Sequence, residues 1–184
     1  MIAHYGIIPP DRALNAALTR LVLRDGALEL RWFHCSETAE FLGNYFSVQA
    51  RSAKLNSRDA QHSIGYMANE IFENAVKFRA RGLGDIEIEA LLQGNAFEMR
   101  VTHFVEASIG ARFQELLTEL LKRDPSELLI ERIEANAADS SSGGSGLGIL
   151  TLMSDYGASL GWSFVQEQPD APMQLSIYAS LILV

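Results

Sequence analysis

The chain has 184 residues, of which 48% are hydrophobic, and this length and composition predict one domain with a sizeable core. Its formal net charge of -8 and the absence of any run of Lys and Arg argue against a nucleic-acid partner, because a phosphate backbone binds a basic surface. Cys35 is the single cysteine, which excludes an internal disulfide, and no signal-peptide region or apolar stretch of about 18 residues occurs, so we expect a cytoplasmic protein without a membrane span.

The chain begins with a predicted series of strands and helices that precedes its central helix. Residues 1–10 end in a proline pair, which favours a short strand followed by a turn. Residues 11–22 predict a helix capped by an aspartate, and the alternation of residues 27–33 predicts a strand. A second helix is expected over residues 36–46, and the polar segment 51–58 is expected to be a loop.

The most informative segment is a predicted amphipathic helix over residues 63–78. Its apolar residues recur every three or four positions, which is the spacing of one buried helix face. Along a neighbouring face, Glu70, Asn74 and Lys77 lie one turn apart, within reach of a single ligand. A glutamate can act as a base or orient a water, while an asparagine oxygen is a hard ligand that suits magnesium. The row therefore indicates either a magnesium and ligand site or an ordinary solvated helix face.

After the central helix, the sequence predicts a β-hairpin and two further helices. The strands are expected at 86–90 and 97–101, with the turn at 93–95. An amphipathic helix follows over 110–121, and Ser126 can cap the next one. This order of elements predicts an antiparallel or mixed sheet with helices on one side.

A glycine run follows a segment of small and polar residues. Residues 135–144 lack the aromatic and branched side chains needed for packing, so we expect a mobile loop. The run 143–148 then opens a predicted helix, and such a junction presents backbone N–H groups that favour phosphate. No Gly-Lys-Ser/Thr follows, which excludes a Walker loop, and Ile149 stands where a dinucleotide fingerprint needs its last glycine. A flexible linker before a helix is the alternative interpretation.

Taken together, two segments resemble the histidine-kinase-like ATPase superfamily, also called the GHKL or Bergerat family. They are EIFENAVKF at 70–78 and GSGLGI at 144–149, in the family's order, with a hairpin between them and two predicted strands, 161–165 and 174–183, behind them. The resemblance covers residues 63–184. It implies one domain with an α/β two-layer (α+β) sandwich, in which a mixed, mostly antiparallel sheet is covered on one face by helices.

The same resemblance implies binding of ATP or ADP with magnesium. Asn74 would bind the magnesium ion, and Glu70 would be the base in members that transfer phosphate to serine or hydrolyse ATP. Lys77 would lie near the phosphates, and Thr151 would support the loop from the first turn of its helix. The lid hinge and the phosphate cradle would be formed by Gly144, Gly146, Leu147 and Gly148.

One family motif, an Asp-x-Gly-x-Gly box at a strand end, is changed in this chain. The corresponding segment 101–106 reads VTHFVE, so His103 stands in place of the aspartate that accepts the adenine amino group, and both glycines are missing. A neutral imidazole nitrogen can accept one hydrogen bond, which allows a role for His103 in adenine recognition. A hydrogen-bonded histidine at a strand end, without a ligand, is the alternative.

The single-domain layout looks like the anti-sigma-factor serine kinases, and the segments 30–32 and 124–128 look like a group of single-domain bacterial ATP-binding regulators. The resemblance implies a protein partner of the sigma-factor, anti-anti-sigma or response-regulator type and phosphorylation of its Ser or Thr. Residues 1–60 are expected to form the surface of a homodimer or of a partner contact. The alternative is a catalytically inactive partner-switch module, which the changed box and the long insertion 107–138 favour.

Overall fold

The computed structural model describes residues 1–9, 18–24, 32–138 and 147–184. Within them, the strands are β1 (Ile2–Gly6), β2 (Thr19–Leu23), β3 (Ile86–Gln93), β4 (Ala96–Val105), β5 (Ser159–Val165) and β6 (Met173–Ile182). The helices are α1 (Trp32–Ser52), α2 (Ser57–Phe78), α3 (Ala107–Leu120), α4 (Pro125–Ala138) and α5 (Leu147–Ser154). None of the helices in this part of the chain has the length and apolar content needed to span a bilayer.

The strands form one sheet in the order β1-β5-β6-β4-β3-β2. Every described pair of neighbouring strands is antiparallel. The prediction of a mixed sheet was therefore wrong. The predicted hairpin is confirmed: β3 and β4 join through a tight turn in which Gly94 has a φ of 64°, a conformation that glycine adopts without strain. The predicted α+β class is thus confirmed, with an antiparallel sheet and helices that are compatible with two layers.

The core lies between one face of the sheet and the two long helices. Strand alternation directs every second side chain of β4 inward, namely Phe97, Met99, Val101, His103 and Val105. The predicted apolar face of the central helix is buried at Ile64, Met67, Ala68, Ile71 and Ala75. Helix α1 packs against α2 closely enough that a Cβ at Gly43 would lie 2.6 Å from the carbonyl oxygen of Gln61.

The N-terminal predictions were wrong in two places. Residues 19–23 form edge strand β2 rather than the end of a helix, because Leu21 pairs with Ile88 and extends the sheet beyond β3. Helix α1 begins at Trp32, so residues 32 and 33 are helical rather than the end of a strand. The other positions of these two predicted elements, at 11–17 and 27–31, lie outside the described residues.

Several helix boundaries also differ from the predictions. Helix α2 begins at Ser57, because the Asn56 side chain accepts hydrogen bonds from the second and third backbone N–H groups that follow it. Asp124, rather than Ser126, caps α4 by accepting from the backbone N–H groups of residues 126 and 127. Helix α4 continues through Ala138, so the start of the predicted loop 135–144 is helical, and the rest of that loop lies outside the described residues.

Candidate functional site

A cavity of about 480 Å³ lies between the sheet, the C-terminal half of α2, helix α3 and the start of α5. Its walls are mostly apolar, formed by Ile71, Val105, Phe113, Leu160, Leu175 and Ile177 among others. Four side chains with polar groups also line it, which are Asn74, His103, Arg112 and Trp162. A mostly apolar space of this size with a few polar groups is typical of a site for a small organic molecule.

Asn74 lines the cavity from α2, one turn after Glu70. Its carboxamide nitrogen donates to the backbone carbonyl oxygen of Glu70 at 2.8 Å, which fixes the orientation of the side chain. The carboxamide oxygen is the atom that a magnesium ion would bind. The structure thus places the predicted metal ligand at the wall of this cavity.

Glu70 lies beside the cavity, against the first turn of α5. A Cβ built on Gly148 would lie 1.7 Å from the Glu70 Oε2 atom, so the carboxylate occupies the space that any other residue at position 148 would fill. Burial, with a smaller contribution from the negative charge of Glu73, raises the pKa of Glu70. A carboxylate with a raised pKa is a stronger base, which suits the predicted role of Glu70 in taking a proton.

Thr151 and two tyrosines tie α5 to the central helix. Thr151 shares a side-chain hydrogen bond with Tyr66 of α2, and the Tyr66 and Tyr156 rings stack with centroids 4.9 Å apart. Thr151 therefore supports the position of α5, and Leu147 and Gly148 form the first turn of that helix. The predicted cradle residues Gly144 and Gly146 lie outside the described residues.

Lys77 is placed away from the cavity. Its side chain is exposed, and the ammonium group lies 5.1 Å from the centroid of the neighbouring Phe78 ring. The structure therefore brings together Asn74, His103 and the start of α5 around one cavity, with Glu70 beside them, whereas Lys77 points to solvent at the end of α2.

His103 is buried at the inner face of β4, with 3% of its surface exposed. Its Nδ1 atom lies 3.3 Å from the carbonyl oxygen of Phe104, and its Nε2 atom has no hydrogen-bond partner among the described residues. The pKa of His103 is lowered to about 4, mainly by burial. The hydrogen bond to the Phe104 carbonyl opposes this effect in part, and the nearby positive charge of Arg79 adds a smaller lowering contribution. The ring is therefore neutral at pH 7.

The neutral state of His103 predicts a loss of stability in mild acid. The unfolded chain binds a proton near pH 6.5 and the folded chain only near 4, so the stability from a neutral ring is complete above about pH 6.5 and is lost as the pH falls towards 4. Relative to a His103→Gln variant, the wild type should lose about 2 kcal/mol of unfolding free energy between pH 7 and pH 5. Urea unfolding of both proteins at both pH values measures this difference. Both proteins contain Glu70, so the effect of its protonation on stability cancels in the comparison. A difference that did not change with pH would contradict the prediction.

Two of the polar lining residues were not predicted from the sequence. Trp162 lies on β5 and is 1% exposed, and its indole Nε1 has no hydrogen-bond partner among the described residues. Arg112 lies on the exposed part of α3 at the cavity. The segment around Trp162 was recognised as a strand, but no local pattern indicates which strand residues face a cavity. The position of Arg112 depends on how α3 covers the sheet.

The described side chains could hold a magnesium ion only through a single ligand, Asn74. Among the described residues, no group of three or more His, Cys, Asp or Glu side chains could hold a metal. Asn74 would supply one oxygen ligand, and magnesium in nucleotide sites commonly takes its remaining ligands from phosphate and water. The donor set is therefore compatible with magnesium brought by a nucleotide rather than with a permanently bound ion.

Comparisons of the chain with protein-family models, with characterised proteins and with solved structures find no match.

Proposed function

We propose that the protein is a signalling regulator that binds ATP or ADP with magnesium and responds by engaging a protein partner. One observation carries the proposal. Asn74 on α2, His103 on β4 and Ile149 at the start of α5 are distant in sequence, yet all three line the same cavity. These are the three segments from which the histidine-kinase-like ATPases, which the sequence resembles, build a nucleotide site.

In this proposal, the apolar cavity takes the base and the first turn of α5 takes the phosphates. Asn74 would hold magnesium, which would neutralise charge on the phosphates. The position of Glu70 makes the cation necessary, because its carboxylate already lies against Gly148 and would repel a bare phosphate there. Nucleotide binding should therefore depend on magnesium.

Glu70 is also the residue that we propose as a base. Its carboxylate is half-buried and has a raised pKa, so it can take the proton of a partner's serine or threonine hydroxyl. The hydroxyl oxygen would then bond to the γ-phosphorus of ATP while the bond from that phosphorus to the bridging oxygen breaks and ADP leaves. Asn74 would position the nucleotide for the same step. Arg112, at the cavity on α3, would add positive charge on the side opposite α2.

Calorimetric titration with ATP and ADP, with and without magnesium, tests the proposal. We expect magnesium-dependent binding to the wild type that is weaker by about tenfold or more in Asn74→Ala, because the variant loses the carboxamide oxygen. Asn69→Ala is a matched control, since Asn69 is on the same helix and donates to Glu73 instead of lining the cavity. No binding to the wild type, or an equal loss in both variants, would overturn the proposal.

The second candidate is a docking module without catalysis, and one observation favours it. Exposed apolar side chains surround the cavity at Phe78, Ile109 and Leu116, and such a surface suits a protein contact. Incubating a captured partner with the protein, magnesium and ATP separates the candidates. New phosphate on a partner Ser or Thr supports the kinase, whereas a stable complex without phosphate supports the docking module.

A further inference from the structure

Two of the residues that line the cavity each have a buried polar atom without a hydrogen-bond partner among the described residues. His103 Nε2 and Trp162 Nε1 have no hydrogen bond among the described residues, and both residues line the cavity. Their residues are 3% and 1% exposed, respectively. A buried polar group without a partner is costly, so a ligand that satisfies both atoms gains affinity from each of them.

The two atoms have opposite hydrogen-bonding character. The Phe104 carbonyl oxygen can only accept, so the contact at 3.3 Å requires a proton on Nδ1 of His103. The ring is neutral at pH 7, which leaves Nε2 with a lone pair and makes it an acceptor. The indole Nε1 of Trp162 carries a hydrogen and can only donate. A matching ligand needs a donor for His103 and an acceptor for Trp162.

The sheet register sets the distance between the two groups. His103 pairs with Leu175 of β6, and Trp162 pairs with Ile177 of the same strand. Paired residues and residues two apart lie on one face of a sheet, so both side chains project towards the helices. Because β6 lies between β4 and β5, their backbones are roughly 10 Å apart across the sheet. The two groups therefore reach the opposite ends of a ligand rather than one edge of it.

We infer that His103 and Trp162 read the two ends of an aminopurine ring. The exocyclic amino group donates to His103 Nε2, and a ring nitrogen at the far end accepts from Trp162 Nε1. This inference rests on the proposed nucleotide function and makes Trp162 a specificity-determining residue. An oxopurine such as hypoxanthine presents a carbonyl oxygen to the lone pair of His103 and is excluded, while the apolar walls accept the faces of a flat ring.

The Trp162→Phe variant tests the donor end of this inference. Phenylalanine keeps an aromatic ring beside Phe113, which contacts Trp162 edge to face at 6.3 Å between centroids, and removes only the N–H group and part of the ring. Affinity for ADP with magnesium should fall about tenfold. Trp32→Phe, which removes the other tryptophan, is the control and should bind as the wild type does. In that control, Trp162 is the single tryptophan, and its fluorescence should change when ADP binds.

Nucleotide analogues test both ends on the wild-type protein. IDP should bind at least about tenfold more weakly than ADP, because its carbonyl oxygen faces His103. Of the 1-deaza, 3-deaza and 7-deaza forms of ADP, the 3-deaza form should bind about tenfold more weakly to the wild type, because N3 is the free ring nitrogen farthest from the amino group. That same analogue should bind no more weakly than ADP to Trp162→Phe, since the variant has already lost the contact.

The outcomes separate this inference from the proposed function. Two outcomes would contradict the proposed hydrogen bond from Trp162 while leaving the proposed nucleotide binding supported. One is that ADP binds Trp162→Phe as tightly as it binds the wild type, and the other is that every deaza analogue binds the wild type with the same affinity. If ADP does not bind the wild type, the proposed function fails and the inference fails with it. If Trp162→Phe does not fold, as shown by circular dichroism, the analogue series on the wild type and the Trp162 fluorescence decide the question.

Discussion

Replacing Phe46 with alanine is expected to lower the free energy of unfolding by about 3–5 kcal/mol. Phe46 is fully buried on α1 and meets Phe97 of β4 edge to face, with ring centroids 4.9 Å apart. The contact joins helix α1 directly to the sheet. Its loss removes apolar burial and an aromatic pair, and it leaves a cavity between layers that cannot collapse without moving a helix. Urea unfolding followed by far-ultraviolet circular dichroism measures the effect.

Phe41→Ala is the matched control, because Phe41 is a phenylalanine on the same helix with 50% of its surface exposed. It stacks on Tyr45 at the surface, with centroids 6.0 Å apart. The expected loss is below about 1 kcal/mol. Similar losses for the two variants would show that the energetic importance of α1 does not come from its contact with the sheet.

The parts of the fold that the sequence predicted well have strong local patterns. The helix over 63–78 has an apolar residue at every third or fourth position, and the sheet buries that face. The β3–β4 hairpin has a glycine where its turn needs a positive φ, flanked by strands that alternate. In both cases the local preference and the tertiary contacts favour the same structure.

The N-terminal errors came from short patterns that fit two structures. Leu18, Leu21 and Val22 have helical spacing, but the segment becomes a strand because the edge of β3 offers hydrogen-bond partners. Residues 32 and 33, in the first turn of α1, continue the alternation of the residues before them, which led to the prediction of a strand. The longer pattern of α1 is helical, since the buried positions are Cys35, Ala39, Leu42 and Phe46. The longer window was the better guide.

The site could be predicted only where a motif identified its residues. The spacing of Glu70 and Asn74, together with the strand-end position of His103, indicated three side chains that the structure places in or beside one cavity. Trp162 and Arg112 could not be found in this way. Trp162 reaches the cavity through pairing with β6, and Arg112 through the packing of α3, and both arrangements depend on residues distant in sequence.

A methyl group added at Gly43 should destabilise the protein, whereas one added at Gly65 on the facing helix should stabilise it. In Gly43→Ala, the new Cβ would lie 2.6 Å from the Gln61 carbonyl oxygen, a backbone atom that cannot rotate away. Helices α1 and α2 must therefore separate, at a cost of about 1–3 kcal/mol that exceeds the gain in helix propensity. Thermal and urea unfolding measure this loss.

In Gly65→Ala, the nearest atom to the new Cβ is the carbonyl oxygen of Ala39 at 3.8 Å, an ordinary contact. The helix propensity of alanine should then raise the unfolding free energy by about 0.5–1 kcal/mol. The two variants add the same atoms to one helix interface, so a shift of the same sign in both would contradict the packing described above. Because α2 carries Glu70 and Asn74, nucleotide titration supplies a second comparison. The displacement in Gly43→Ala should weaken magnesium-dependent binding, whereas Gly65→Ala should bind as the wild type does, because only the first variant moves the helix that holds these two side chains.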